Sequence, residues 1–139
     1  MTSTSLPLLV AAAVIERAGR VLMTRRQRGQ HLEGLWEFPG GKCESGETLE
    51  ACVRRELREE LGLLVEVGDE IWRIEHAYPE KHVRLHFFRC ACSGDPLALQ
   101  GQDVRWVPLD ELQDLPVPEA DRSLVSRLAG LLSNARAPD

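Results

Sequence analysis

Apolar residues fall in short runs separated by glycine and proline, and the spacing of those runs changes along the chain. Residues 10–16 read as a strand that ends at a Gly19 turn, and residues 20–26 alternate well enough to be its hairpin partner. Residues 25–34 are polar and glycine-containing, a loop; the apolar segment 35–38 then stops at Pro39-Gly40-Gly41. The period changes over 45–62, where Val53, Leu57 and Leu61 recur at i, i+4 and i+8 and predict a helix with a buried stripe. Ser45 is its expected N-cap, Glu47 puts an acid in the first turn, and Gly62 is its expected stop.

Strand patterning returns over 63–77 and 83–92; in the latter, Val83, Leu85 and Phe87 alternate with Arg84, His86 and Phe88. A turn is expected at Ser93-Gly94-Asp95-Pro96, a strand at 103–107, a helical turn at 110–112 and a last helix at 120–132. No internal repeat, low-complexity tract or linker interrupts this order. The reading is one domain over residues 1–139, of mixed α/β (α+β) class.

Composition narrows the possibilities. At 43% hydrophobic and 28% charged, the chain can build a core and stay soluble. No apolar run approaches the roughly 18 residues of a membrane helix, and no basic stretch leads into a long apolar run as in a secretory signal. A net charge of -5 argues against binding a nucleic-acid polymer, though not against a single nucleotide whose phosphates are bridged by metal. Cys43, Cys52, Cys90 and Cys92 form no CxxC pair, and the four His are not spaced as ligands with them. Free thiols in a reducing cytoplasm are expected, not zinc or disulfides.

The chemistry concentrates in the predicted helix. At about 100° per residue, Glu60 lies about 40° round from Glu56 on one side and Glu59 about 60° round on the other. Like charges that close repel and raise one another's pKa. A hard cation is a reason for such crowding, because Mg²⁺ takes oxygen ligands and is often shared with phosphates. Glu47 begins the same helix, and Arg55 can pair with one of the acids. The Gly40-Gly41 loop leaves backbone carbonyls open to a metal. The plainer alternative is a solvated helix face, since Arg54, Arg55 and Arg58 offer i, i+4 partners.

Gly41, five residues, Glu47, seven residues, then Arg55-Glu56-Leu57-x-Glu59-Glu60-x-Gly62-Leu63 resembles a complete Nudix box. That resemblance implies the Nudix fold, a mixed β-sheet sandwiched between α-helices. It also implies Mg²⁺ (or Mn²⁺) dependence and water attack on a nucleotide's phosphoric anhydride. By position, Glu56, Glu59, Glu60 and the Gly40 carbonyl are implied metal ligands. Glu47 is implied as a supporting ligand or base, and Arg55 as the residue that orients an acid.

Further likeness lies in Leu35-Trp36-Glu37-Phe38-Pro39, in Tyr78-Pro79-Glu80-Lys81-His82 and in Leu115-Pro116-x-Pro118-Glu119-Ala120. These resemble the MutT branch, which converts nucleoside triphosphates, 8-oxo-dGTP best known among them, to the monophosphate and pyrophosphate in nucleotide-pool sanitation. By position, Arg26 is implied at the phosphates with His31 at the same entrance. Phe38, Tyr78 and Lys81 are implied around the base, core packing being the alternative for the two aromatics. Two positions depart from the pattern. Asp121 stands where enzymes selecting 8-oxoguanine usually have Asn, which suits the amino group of cytosine or adenine better and resembles a CTP-hydrolysing branch. Arg105 stands where some MutT-like enzymes carry a further glutamate, leaving Glu47, Glu59 and Asp103 as candidate bases. The rival readings are an ADP-ribose or dinucleoside-polyphosphate pyrophosphatase and a Nudix-fold regulatory module that binds without catalysis. The expected partner is a nucleoside triphosphate, and the expected state a monomer or homodimer.

Overall fold

The structure, a computed structural model, describes residues 6–30 and 32–134. Seven strands and two α-helices follow in the order β1 (Leu8–Arg17), β2 (Arg20–Arg25), β3 (Trp36–Glu37), β4 (Gly40–Lys42), α1 (Leu49–Leu61), β5 (Glu66–Tyr78), β6 (Lys81–Ala91), β7 (Val104–Pro108) and α2 (Arg122–Asn134). Short 3-10 helices at Leu109–Asp114 and Glu119–Asp121 lead into α2.

The sheet is mixed. Its main path runs β3-β2-β1-β6-β5, with β4 on β1 and β7 on β2. The β1–β6 pair is parallel and the other pairs are antiparallel. β1 is central because both its faces are apolar, and successive side chains enter opposite layers. Ala12 and Val14 join a core with Phe87, Leu124 and Leu128, whereas Ala11, Ala13 and Ile15 join one with Val53, Leu57 and Leu61. The i, i+4, i+8 stripe of α1 therefore packs on one face of the sheet and α2 on the other, which is the expected sandwich.

Three local readings are corrected. The N-cap of α1 is Thr48, not Ser45: its hydroxyl accepts from the Ala51 N–H at 3.1 Å. Gly46 at φ +81° and a Glu47 N–H to Glu44 carbonyl bond place 44–47 in a tight turn that cannot continue a right-handed helix. The segment 40–42, read as a break, is a strand, paired Val10 to Lys42, Ala11 to Gly41 and Ala12 to Gly40. The strand expected from 63 begins at Glu66, because Gly62 closes α1 in the left-handed region and the Leu63 N–H turns back to the Leu57 carbonyl.

Gly40 and Gly41 do different work. A Cβ on Gly40 would strike the Ala11 carbonyl and the Ala12 backbone, whereas one on Gly41 would strike only the Glu56 carboxylate. Gly40 therefore lets β4 lie against β1, and Gly41 lets α1 bring a carboxylate down onto β4. Gly40→Ala must move backbone, so a loss of about 3 kcal/mol or more in urea unfolding is expected, at the upper end of overpacking costs. Unchanged stability would contradict the close β1–β4 approach.

Candidate active site

Gly40, Gly41 and Lys42 lie between the carboxylate end of α1 and a chamber of about 500 Å³. The chamber floor is the face of β1 and β6 that carries Val10, Ala12, Leu85 and Phe87, with Phe38 beside them. Glu56, Glu60 and the Gly40-Gly41 backbone line one end; Glu37, Tyr78 and Asp121 also face in, with Arg26 and Lys81.

At the α1 end, the Arg55 guanidinium organises the acids. It grips Glu47 bidentately, Nε to Oε2 at 2.7 Å and Nη2 to Oε1 at 2.9 Å. Nη1 donates to Glu56 Oε1 at 3.0 Å and Glu59 Oε2 at 3.2 Å, and Nη2 also reaches the Lys42 carbonyl at 2.9 Å. The Arg55 hydrogen bonds hold the Glu47 carboxyl down to about 2, aided by its bond from the Glu44 backbone. Glu47 is thus fully engaged as an acceptor and does not face the chamber.

Glu56, Glu59 and Glu60 do not share one environment. The Glu59 side chain is 53% exposed and held on the outer flank by Arg55. Among the described residues, no three carboxylates, imidazoles or thiols close on a single point. Glu60 is the opposite case: its Oε2 is buried without a hydrogen-bond partner. Burial, then the neighbouring Glu56, pushes the Glu60 carboxyl well above the usual range. A carboxylate oxygen buried without a partner beside a second carboxylate is the donor set that a hard cation would relieve, so these residues fit a divalent metal.

The far end holds a second acid pair. Asp121 is 4% exposed, and burial, then Glu37, raises its carboxyl from 3.8 to about 7 against the pull of Arg26. Arg26 Nε stands 3.0 Å from Glu37 Oε2, a charge contact whose N–H is not aligned as a hydrogen bond. Burial raises Glu37 as well, opposed by Arg26. Tyr78 is half-buried, and the charges of Asp121, Arg26 and Glu37 all act on its hydroxyl. Phe38 packs edge-on to Phe87 at 5.7 Å, so it is core and chamber wall at once.

His31 lies outside the described residues. Neither Arg105 nor Asp103 faces the chamber: Arg105 lies over the Trp36 ring at 5.4 Å, and Asp103 pairs with Arg25 at 3.6 Å. Among the chamber residues that escaped the sequence reading are Glu37 and Gln100. Strand alternation was the available signal for Glu37, since buried Trp36 turns its neighbour to the other face.

The NUDIX domain family matches residues 10–127. The chain therefore belongs to the Nudix family and is a hydrolase acting on phosphoric anhydrides. Its relatives are of MutT type. It is 37% identical over 136 residues to a putative 8-oxo-dGTP diphosphatase 2 of Mycobacterium tuberculosis, covering 93% of each chain. It is 33% identical to the CTP pyrophosphohydrolase of Escherichia coli, covering 88% of this chain and 91% of that one. The solution structure of the E. coli ORF135 protein superposes with a TM-score of 0.80 at 32% identity, covering 91% of both chains.

The buried Asp121 carboxyl has a stability signature. An acid whose pKa is raised on folding holds its proton more tightly when folded, so its contribution falls as pH rises from 3.8 through about 7. Asp121→Asn removes that loss. The margin by which the variant melts above the parent should widen by at least ~4 °C between pH 5 and pH 8.5. Parallel melting curves across this range would rule out a buried acid at 121.

Proposed function

We propose that the chain is a Mg²⁺-dependent nucleoside triphosphate pyrophosphohydrolase of MutT type, releasing the monophosphate and pyrophosphate, with 8-oxo-dGTP as favoured substrate. The observation that carries this is the chamber itself: a paired-acid end at Glu56 and Glu60, and an apolar slot that also takes in Asp121, Glu37 and Tyr78. Its size is right for one nucleotide. Mg²⁺, or Mn²⁺ in its place, would be held by Glu56, Glu60 and the Gly40 carbonyl, with Glu59 joining from the flank. The metal supplies charge neutralisation at the phosphates and a more acidic water.

The protein's own groups do the rest. Arg55 holds Glu56 by a hydrogen bond beside Gly41, and Glu47 holds Arg55, so Glu47 acts through Arg55 and not as a base. Arg26, Lys42 and Lys81 are the chamber's cations; Arg26 would receive phosphate oxygens and Lys81 would close over the base. Phe38 and Tyr78 offer aromatic surface to the base. Cytoplasmic nucleotide-pool sanitation by a monomer or homodimer completes the reading.

A second reading, a CTP or 5-methyl-dCTP pyrophosphohydrolase, rests on Asp121. Ionised, its carboxylate accepts from an exocyclic amino group; protonated, it donates to the guanine O6. The relative named CTP pyrophosphohydrolase supports this reading, and the more numerous ones named 8-oxo-dGTP diphosphatase support the first.

A panel of nucleotides with Mg²⁺, separating pyrophosphate from phosphate release, tests both. Pyrophosphate from a nucleoside triphosphate is expected, and Glu60→Gln should lower its turnover ~10³-fold in a folded protein, the loss of several kcal/mol of charge stabilisation. Phosphate release alone, or ADP-ribose as the sole substrate, would sink the proposal. Asp121→Asn should shift the ratio of kcat/KM toward 8-oxo-dGTP over 5-methyl-dCTP about tenfold, one hydrogen bond's worth. An unchanged ratio removes Asp121 from base recognition.

A further inference from the structure

The segment between β6 and β7 is docked onto the C-terminal end of α1. The Leu97 N–H donates to the Leu61 carbonyl at 2.9 Å and the Leu99 N–H to the Glu60 carbonyl at 3.3 Å. Gln102, 7% exposed, bridges the two parts: Nε2 donates to the Glu60 carbonyl at 3.1 Å and Oε1 accepts from the Gln100 N–H at 3.0 Å. From the loop after β2, Gln27 Nε2 donates to the Gln100 carbonyl at 2.9 Å. Gly101 supplies the positive φ, +73°, that this turn requires.

Both polar groups of the Gln100 main chain are therefore fixed by buried or docked glutamines. Gln100, an exposed residue, is the one from this segment that lines the chamber, together with Glu56, Glu60 and Arg26. Asp103 and Arg105, the charged residues nearby, are turned away to Arg25 and Trp36. A residue with a neutral amide thus lines the chamber, its main chain anchored twice beside the Glu60 end of α1.

We propose that Gln100 is a catalytic residue that orients the attacking water, and that Gln102 is a positioning residue acting through it. This rests on the hydrolase reading above. The chamber's acidic end is rich in acceptors, and the phosphates add more. A water aimed at phosphorus needs an acceptor for one of its hydrogens, and a carboxylate there would add negative charge beside an anionic substrate. The Gln100 amide oxygen accepts that hydrogen without adding charge, while its NH₂ can donate to a phosphate oxygen. In the step, the water oxygen bonds to phosphorus. One anhydride P–O bond breaks with its electron pair left on the bridging oxygen. The water's protons pass to product phosphate and solvent.

The test is steady-state kinetics of pyrophosphate release on 8-oxo-dGTP and dCTP, with thermal melting of each variant. Gln100→Ala should lower kcat ~30-fold to 100-fold with KM within ~threefold of the parent, the scale of a misplaced reactant. Its melting temperature should stay within ~2 °C, since only a surface contact is lost. Gln102→Ala should lower kcat in the same sense, and the double variant should be no slower than Gln100→Ala, because the two act in series. Gln100→Glu restores an acceptor and should recover part of kcat while raising KM through its charge. A Gln100→Ala variant with parental kcat, or with its loss confined to KM, overturns the water-orienting role. A parent that releases no pyrophosphate from any triphosphate overturns the function itself, which keeps the two failures distinct.

Discussion

One guanidinium makes the acidic end of this molecule foldable. Arg55 touches Glu47, Glu56 and Glu59, with side-chain exposures of 16% for Arg55 itself and 13% and 16% for the first two. Without a cation among them, those acids would repel each other and α1 would not lie on β4. The bidentate grip on Glu47 fixes the guanidinium plane, and that plane fixes where Glu56 points. One acid is left outside this arrangement. Glu60 is half-buried with its Oε2 buried and unbonded, and that burial, then the neighbouring Glu56, suppresses its ionisation. The protein thus satisfies its own charges up to a point and leaves an unmet demand for positive charge at the chamber wall, which is where a metal-dependent hydrolase needs it.

The glycine pair explains why that demand faces the chamber. Gly41 has no side chain to hold Glu56 off the sheet, and Gly40 lets β4 run close enough to β1 for the ladder to form. The register Ala12 to Gly40 on one side and Ala12 to Phe87 on the other then sets the acidic end directly beside an apolar floor. The acidic end and the apolar floor are neighbours because one strand, β1, pairs with both β4 and β6.

How much of this was readable in the residues themselves follows from which interactions are local. The α1 stripe, the Gly62 stop and the alternation of β6 depend on neighbours three or four positions away, or two, and those were legible. The Nudix box was legible for the same reason, since a single helix and its preceding loop contain it. The Thr48 cap was missed because Ser45 is an equally good capping type; only the positive φ of Gly46 decides between them. Strand β4 was missed because two glycines read as a break unless a partner strand is known. Gln100 could not be found at all from spacing: its placement depends on Gln27 and Gln102, 73 and 2 residues away, meeting the end of α1. The surroundings of Asp103 and Arg105 are likewise set by tertiary partners, Arg25 and Trp36.

The two ends of the chamber use the same chemical group in opposite ways. At α1, acids are crowded so that an external cation is welcome. At Asp121, burial and the neighbouring Glu37 favour the neutral acid up to about pH 7. Arg26 stands near both sets, tempering Glu37 and Asp121 while its charge also acts on Glu60. In the proposed reaction an arriving triphosphate would bring negative charge that competes for Arg26. If Arg26 turns toward phosphate, Glu37 and Asp121 lose part of their compensation, and their protons become harder to remove. Substrate binding would then favour the protonated Asp121, the form able to donate to a guanine O6. On the proposed function, one shared cation would thus couple what binds at the phosphate end to what the base end reads.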